Sequence, residues 1–376
     1  MEKLIFKKFS IDHAIFFIYV AVSISLIVWV IQAVNFLDIV SEDGHSFKVY
    51  FLYTFLNLPK IFSRILPFIF FISLFYIITK YENNNELIIF WTVGIKKIEF
   101  INTIIKLSLL YLLIQLLLTT YLVPKSQDAA RSYIRSSDLD FFPGLIKEKK
   151  FIDPVSGLTI FVNKKRKDGT MENIFLKDKL SNNKYQIIYA KEGRIVNDNN
   201  FLVLFNGKVI SNNKKNSTVF NFDKTEFNLS KYTHKTTMHP KVQEINTDIL
   251  FGCIRSIMNN NINNKLFDKY FACTEKNSKN MKQELFKRII IPLYLPLISL
   301  IATMLVIMSK DSFRYNKFKL FLFCSGIITI IFSEVSIRYS SINNLMTIIF
   351  FIVPLFLFLA TYFILFNKLK IKLNKY

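Results

Sequence analysis

Six long apolar runs divide the chain, and they constrain its fold more than any other feature of the sequence. Each run has about 20 residues, the length that an α-helix needs to cross a hydrocarbon core of about 30 Å. With 52% hydrophobic residues overall, the sequence predicts a polytopic α-helical membrane protein with six transmembrane helices. The predicted spans are Ile15–Phe36, Ile61–Thr79, Ile101–Val123, Ile289–Met308, Leu320–Ser336 and Met346–Phe366.

One polar stretch, from about Pro124 to Glu284, separates the first three spans from the last three. A stretch of this length can fold as a domain of its own. We therefore expect three parts. Residues 1–123 hold spans one to three, residues 124–285 form an inserted β-rich domain with a helical return segment, and residues 286–376 hold spans four to six and a basic tail.

Short alternating segments predict the fold of the insert. They have the length and period of half-buried strands and are separated by breaks rich in Asn, Asp and Gly. Strands at roughly ten-residue spacing are typical of an antiparallel β-sandwich or jelly roll. The predicted strands are Leu158–Asn163, Glu172–Leu176, Tyr185–Ala190, Arg194–Val196, Phe201–Phe205, Thr218–Phe222 and Glu226–Leu229.

The net charge of +22 would suggest nucleic-acid binding in a soluble protein, but its distribution indicates a membrane topology. The positive-inside rule places loops rich in Lys and Arg in the cytoplasm. Both termini are then cytoplasmic and the insert is external, and no nucleic-acid partner is expected. The basic residues that decide this are Lys3, Lys7, Lys8, Lys80, Lys96, Lys97, Lys310, Arg314, Lys317, Lys319, Lys368, Lys370, Lys372 and Lys375.

The segment between spans two and three carries the sharpest local signal. Asn83 and Glu86 fit an N-cap and its capping box, and Gly94, followed by two lysines, fits the end of a helix. The helix predicted over about residues 82–95 is too short to span a membrane. It is either an interfacial helix that Glu86 caps, or a coupling helix that a cytosolic motor receives.

The order of these features resembles the LptF/LptG (YjgP/YjgQ) permeases of the lipopolysaccharide-export ABC transporter, with LptF favoured. The resemblance rests on Ile65-Leu66-Pro67, Glu86–Gly94, Val123-Pro124 and Gln283–Arg288, and it extends from end to end of the chain. It implies a multi-pass protein of the bacterial inner membrane that takes part in outer-membrane biogenesis. The insert would be a periplasmic β-jellyroll, and the chain a transport subunit without enzyme activity.

The same resemblance implies the partners. They are a cytosolic ABC ATPase dimer, a paralogous six-span permease, a periplasmic or bitopic β-jellyroll bridge protein, and lipopolysaccharide itself. The chain has no GxxxxGK[ST] loop, so ATP is expected on the partner subunit and no cofactor on this chain. No residue is assigned to catalysis or to a metal.

The family resemblance assigns Glu86 to the helix that docks into the ATPase. The neighbouring residues of that helix are assigned to coupling with it: Leu87, Phe90, Trp91 and Gly94.

Four basic residues at the insert end of the spans fit a phosphorylated lipid head group. Lys60 and Arg64 lie one helical turn apart at span two, and Lys287 and Arg288 lie at the start of span four. Charges at this depth are costly unless they snorkel or meet a partner, and Lys and Arg bind phosphate well. Ordinary snorkelling to phospholipid head groups is the alternative.

The apolar inner face of the β domain would shield the acyl chains of the lipid. The expected lining residues are Phe161, Phe175, Ile187 and Phe205. Two other functions stay open: a permease of another ABC lipid or lipoprotein-release system, and a membrane anchor or sensor with an extracytoplasmic β domain that transports nothing.

The cysteines add one structural question. Cys253 and Cys273 lie in the external segment, where a disulfide survives, and Cys324 lies in span five. Buried free thiols are the alternative.

Overall fold

The computed structural model contains six helices that are long and apolar enough to cross a membrane, within the residues that it describes. Each overlaps one predicted span, which confirms the six-span architecture. These helices are Lys3–Asn35, Phe47–Asn83, Lys97–Ile134, Ser278–Ile307, Tyr315–Ser340 and Leu345–Leu369. The described residues are 2–37, 40, 47–136, 148–155, 157–166, 168–181, 184–196, 201–213, 216–229, 241–258, 277–341 and 344–373.

The chain divides into two compact units. The helical unit comprises Met1–Ile31, Phe55–Ala130 and His239–Tyr376, and the second unit comprises Gln32–Thr54 and Arg131–Met238. The helices are α1 Glu2–Asn35, α2 Phe47–Leu56, α3 Leu58–Asn83, α4 Glu86–Thr92, α5 Lys97–Leu117, α6 Val123–Ser136, α7 Thr247–Met258, α8 Ser278–Thr303, α9 Tyr315–Ser340 and α10 Asn344–Leu373. A π-helix, Leu118–Leu122, joins α5 to α6, and 3-10 turns form at Val242–Glu244 and Met304–Ile307.

Helices α3 and α8 form the centre of the helical unit. In the most apolar stretch of α8, 83% of the residues are buried, and the stretch that includes α3 reaches 67%. The other four candidate spans reach only 11% to 28%. Their exposed apolar faces therefore suit contact with lipid or with another membrane subunit.

Gly326 lets α9 approach α3 closely. A Cβ atom at this position would overlap the ring of Phe71, which is fully buried in the core of the helical unit. Small residues are common where membrane helices meet, because they let a neighbour pack against the backbone. The glycine is therefore part of the packing between these two spans.

The described residues of the insert form a six-stranded antiparallel meander in the order β1 to β6. Two pairs of predicted strands merge into single strands, β4 and β6, because the polar residues between them stay in the sheet. Glu192 of β4 and Lys224 of β6 each pair with Phe205 of β5. The seven predicted strands therefore correspond to five strands, β2 to β6, and β1 was not predicted, whereas the antiparallel β fold is confirmed. The strands are β1 Phe151–Val155, β2 Leu158–Lys165, β3 Met171–Ser181, β4 Lys184–Val196, β5 Phe201–Asn213 and β6 Asn216–Asn228.

One face of this sheet carries the apolar core of the second unit. The alternation of side chains breaks where Asn173 (φ 51°) and Asn206 (φ 49°) adopt left-handed backbone conformations. Met171 and Ile174 consequently both face the core, although they are three residues apart. Such breaks bend a strand and re-aim its side chains. The buried cluster contains Leu158, Ile160, Val162, Met171, Ile174, Leu176, Ile188, Ala190, Leu202, Leu204, Phe227 and Leu229.

The cysteines of the chain differ in state. Cys253 on α7 is buried and disulfide-bonded, whereas Cys324 on α9 is free and exposed. Cys273, the partner that the sequence offers to Cys253, lies outside the described residues.

We expect Gly326→Ala to destabilise the helical unit by about 1–3 kcal/mol, the usual range for overpacking a filled core. The measurement is the temperature at which the purified protein loses its monodisperse state in detergent. Phe71→Leu in the Gly326→Ala background should recover part of the loss, since it makes room for the new methyl group. Ser325→Ala, one residue earlier on α9, is the control. Equal stability of Gly326→Ala and Ser325→Ala would contradict the close approach.

Candidate functional site

Helix α4 starts later than the sequence predicted. Helix α3 continues through Asn83, so the N-cap predicted at Asn83 is wrong, and α4 covers Glu86–Thr92 instead of about residues 82–95. The turn consists of Asn84 and Asn85, and Asn85 has a left-handed backbone (φ 62°). Asparagine is one of the few residues that adopt this conformation readily.

The end of α4 was predicted correctly. The amides of Gly94 and Ile95 donate to the carbonyls of Trp91 and Phe90 at 3.1 and 3.0 Å. This is a Schellman motif, and the φ of 93° at Gly94 is the conformation that glycine adopts at little cost. The buried Ile95 packs in the same core cluster as Phe90. The chain after α4 is therefore held against the bundle.

The apolar side chains of α4 divide between two faces. Leu87 and Phe90 are each 1% exposed and belong to the core of the helical unit. Ile88 and Ile89 are each 52% exposed. Leu87 and Phe90 thus fix the helix on the bundle, while Ile88 and Ile89 offer an apolar surface. The sequence prediction missed these two isoleucines, because seven residues are too few to show which face meets the bundle.

Glu86 is the first residue of α4, and only one of its two carboxylate oxygens accepts a close hydrogen bond. Its Oε1 accepts a hydrogen bond from Asn84 Nδ2 at 3.1 Å, and its Oε2 lies 3.8 Å from Lys8 Nζ. The Lys8 side chain is 68% exposed and the Glu86 side chain 29%. An ion pair with this exposure contributes only about 0–1 kcal/mol, so the carboxylate remains available to a cationic partner.

Polar contacts tie the region around α4 to both halves of the helical unit. Lys97 Nζ donates to the carbonyl of Val306 at 2.7 Å and lies 5.4 Å from the centre of the Trp91 ring. The amide of Lys310 donates to Glu82 Oε1 at 3.0 Å. The first three spans and the segment after α8 therefore meet beside α4. A displacement of α4 would be transmitted to both parts of the helical unit.

Lys60, Arg64 and Lys287 form a cation cluster at the other end of the helical unit. They line a polar cavity of about 30 Å³ together with Gln115, Thr119, Gln127, Gln243, Glu284 and Glu334. This space holds one or two waters, so a lipid head group would bind at its mouth. Arg64 and Lys287 repel Lys60, whereas Glu244 and Glu284 attract it. Within the described residues the three basic side chains form no direct hydrogen bond or ion pair.

Arg288 differs from these three cations, although the sequence predicted the same role for it. Its side chain is 2% exposed. Nε donates to Glu284 Oε1 at 3.2 Å, Nη1 donates to the carbonyl of Ile245 and to Thr247 Oγ1, both at 2.9 Å, and Nη2 donates to the carbonyl of Gln243 at 3.0 Å. Four of the five N–H donors of the guanidinium thus bond to protein groups, which favours a structural role over head-group binding.

The hydrogen bonds of Arg288 continue into a closed ring. Thr119 in the π-helix donates to the carbonyl of Arg288 at 2.8 Å. Thr247 donates to the carbonyl of Thr120 and accepts from Arg288. The return segment that starts at Val242, the third span and α8 are thus joined at one point. The sequence prediction missed the side chains of Thr119 and Thr247, because neither residue lies near Arg288 in the chain.

The four residues predicted to line the acyl-chain path lie outside the buried cluster of the sheet. Phe161, Phe175, Ile187 and Phe205 each neighbour a cluster member in sequence, and successive side chains of a strand point to opposite faces. Phe161 and Phe175 are cross-strand partners and line a concavity of about 800 Å³. They lie on the face opposite to the buried cluster, so their contact with acyl chains stays a prediction.

Comparisons with known proteins agree with this architecture. A family model described as "Lipopolysaccharide export system permease LptF/LptG" matches residues 12–368. A curated relative, "Uncharacterized protein RP871" of Rickettsia prowazekii (strain Madrid E), is 24% identical over 193 residues. The match covers 51% of this chain and 53% of the relative, so the chain spans about half the length of that protein.

We expect Arg288→Gln to loosen the return segment. The change removes most of the donors and leaves Glu284 and two carbonyls without their partner, and breaking a buried pair in this way costs about 3–5 kcal/mol. Limited proteolysis in nanodiscs should show faster cleavage within residues 241–258. Lys287→Gln is the matched control, since it removes a charge from the adjacent position but no hydrogen bond. Equal cleavage rates for the two variants would contradict the structural role of Arg288.

Proposed function

We propose, from the premise that the chain belongs to the LptF/LptG family of lipopolysaccharide export permeases, that it is a permease subunit of an ATP-driven ABC transporter. The transporter would extract lipopolysaccharide from the outer leaflet of the inner membrane and pass it to a periplasmic bridge protein. Both termini would be cytoplasmic and the insert periplasmic, following the positive-inside rule.

ATP hydrolysis would take place on a separate cytosolic ATPase dimer. The observation that carries this proposal is the construction of α4, which is anchored by the buried Leu87 and Phe90 and exposes Ile88 and Ile89. A short helix that is fixed on one side and apolar on the other suits insertion into a groove of a partner. Glu86 would add a charged contact at the start of the helix, and Trp91 and Gly94 would keep its position.

A paralogous six-span subunit would complete the transport cavity. The candidate spans other than α3 and α8 are largely exposed, and such surface suits contact with a second membrane subunit or with lipid. The cation cluster of Lys60, Arg64 and Lys287 would bind phosphate groups of the lipid, and the β domain would receive the lipid afterwards.

We expect Glu86→Ala to lower the lipopolysaccharide-stimulated ATPase activity of the reconstituted complex about tenfold, the loss of one charge-assisted contact. Lys8→Ala is the control, because it removes the ion pair within the chain but keeps the carboxylate. Ile89→Asp should weaken recovery of the ATPase subunit on affinity purification.

Activity that is unchanged in Glu86→Ala, or lowered equally in Lys8→Ala, would contradict the coupling role of Glu86. A complex that purifies without any ATPase when the chain is unaltered would favour a membrane anchor over a transporter.

We expect Arg64→Glu to weaken lipopolysaccharide binding by the complex in nanodiscs about tenfold, since a reversed charge next to Lys60 lowers the positive charge of the cluster and repels phosphate. The measurement is equilibrium binding of labelled lipopolysaccharide. Arg338→Glu is the control, because Arg338 is also exposed on a span but does not line the cavity. Equal affinity of the two variants would indicate that Arg64 only snorkels to phospholipid.

A further inference from the structure

The face of the sheet opposite to the buried cluster carries a row of aromatic side chains. Phe151, Phe161, Phe175 and Tyr189 are successive cross-strand partners on β1 to β4. The ring centres of Phe151 and Phe161 are 4.7 Å apart, and those of Phe175 and Tyr189 are 5.1 Å apart. Phe151 is 67% exposed and Tyr189 40%. The row forms the floor of the concavity of about 800 Å³, which is within the size range of ligand sites.

Polar side chains surround this aromatic floor. They make up six of the fourteen residues that line the concavity: Asn173, Lys191, Asn206, Lys208, Asn221 and Asp223. Lys208 Nζ lies 5.5 Å from the centre of the Tyr189 ring. Within the described part of the chain, none of the six side chains forms a hydrogen bond or an ion pair. Their donors and acceptors are therefore available to a ligand.

This combination selects the class of ligand. A site for acyl chains would be lined almost entirely by apolar groups, since an acyl chain cannot satisfy three amides, two ammonium groups and a carboxylate. A sugar ring can satisfy both parts of the site. Its C–H face packs on an aromatic ring, and its hydroxyl groups bond to amide, ammonium and carboxylate groups.

We propose that this concavity binds the saccharide part of the lipopolysaccharide. The inference rests on the proposed function, because the saccharide is a portion of the same cargo. Two lysines against one aspartate give the rim an excess of positive charge, which suits a saccharide that carries acidic groups. The sheet would then have two uses: its buried cluster stabilises the fold, and its aromatic face guides the sugars.

The test is saturation-transfer difference NMR on the full chain in lipid nanodiscs without ATP. The probe is the delipidated oligosaccharide that mild acid releases from rough-type lipopolysaccharide. We expect a signal on the sugar C–H protons of the unaltered chain. Tyr189→Ala should weaken binding roughly three- to tenfold, the usual loss for one aromatic contact. Tyr189→Phe should bind normally, because it keeps the ring.

Two further variants complete the test. Asn221→Ala should weaken binding through the rim and leave the aromatic row intact, so the proposal can be tested even if Tyr189→Ala does not fold. Phe220→Ala should bind normally, since Phe220 is 63% exposed on β6 but does not line the concavity.

Three results would overturn the proposal. They are the absence of a saccharide signal, equal binding by Tyr189→Ala and Phe220→Ala, and binding of a dodecanoate probe that depends on Tyr189, which would assign the face to acyl chains. Because no ATP is present, each result is independent of transport. The ATPase assay with Glu86→Ala tests the proposed function separately.

Discussion

A charged group that is removed from water needs hydrogen-bonding partners. The packing of the helical unit depends on the partners that surround the buried guanidinium of Arg288. The side chain is almost fully buried, and it donates to one carboxylate, one hydroxyl and two carbonyl groups. Desolvation of an isolated guanidinium would cost many kcal/mol, so these contacts are a condition for α8 to start where it does. They also fix the return segment, because the two carbonyl groups belong to Gln243 and Ile245 and can bond to Arg288 only in one chain path.

The two ends of the helical unit differ in how their charged side chains find partners. Near Arg288 two acids serve the fold: Glu284 bonds to Arg288, and Glu244 accepts from the amide of Lys241 at 2.9 Å. Lys60 lies beside Arg64 and Lys287, which repel it, and beside Glu244 and Glu284, which attract it. Near α4 the situation differs. The apolar residues of α4 divide between a buried and an exposed face, and the ion-pair partner of Glu86 is itself exposed. This difference is what the proposed phosphate contact at one end and the proposed ATPase contact at the other depend on.

Some of these features could be predicted from the sequence, and others could not. Spans are recognised reliably because about 20 consecutive apolar residues leave no other fold. The end of α4 was predictable for a similar reason, since Gly94 alone permits the required backbone. It is harder to predict which side chains of a short helix are buried. Leu87 and Ile88 are both strongly apolar, and only the packing of Leu87 against the bundle distinguishes them. In the sheet, the left-handed Asn173 and Asn206 reverse the alternation, which a pattern of period two cannot anticipate.

The separation of Arg288 from Lys287 shows how adjacent and chemically similar residues come to differ in use. Successive residues on a helix are about 100° apart, so only one of the two can face the return segment. Arg288 does so, and its planar group satisfies acceptors in several directions, which a lysine could not do. Lys287 lines the cavity with Lys60 and Arg64, and the buried Arg288 lines it as well. Arg64 and Lys287 both repel Lys60, and the hydrogen bonds of Arg288 hold the start of α8, which carries Lys287, against the return segment. A phosphate group at the mouth of the cavity would lower this repulsion, so the structural role of Arg288 would support the head-group contact that we propose for the cluster.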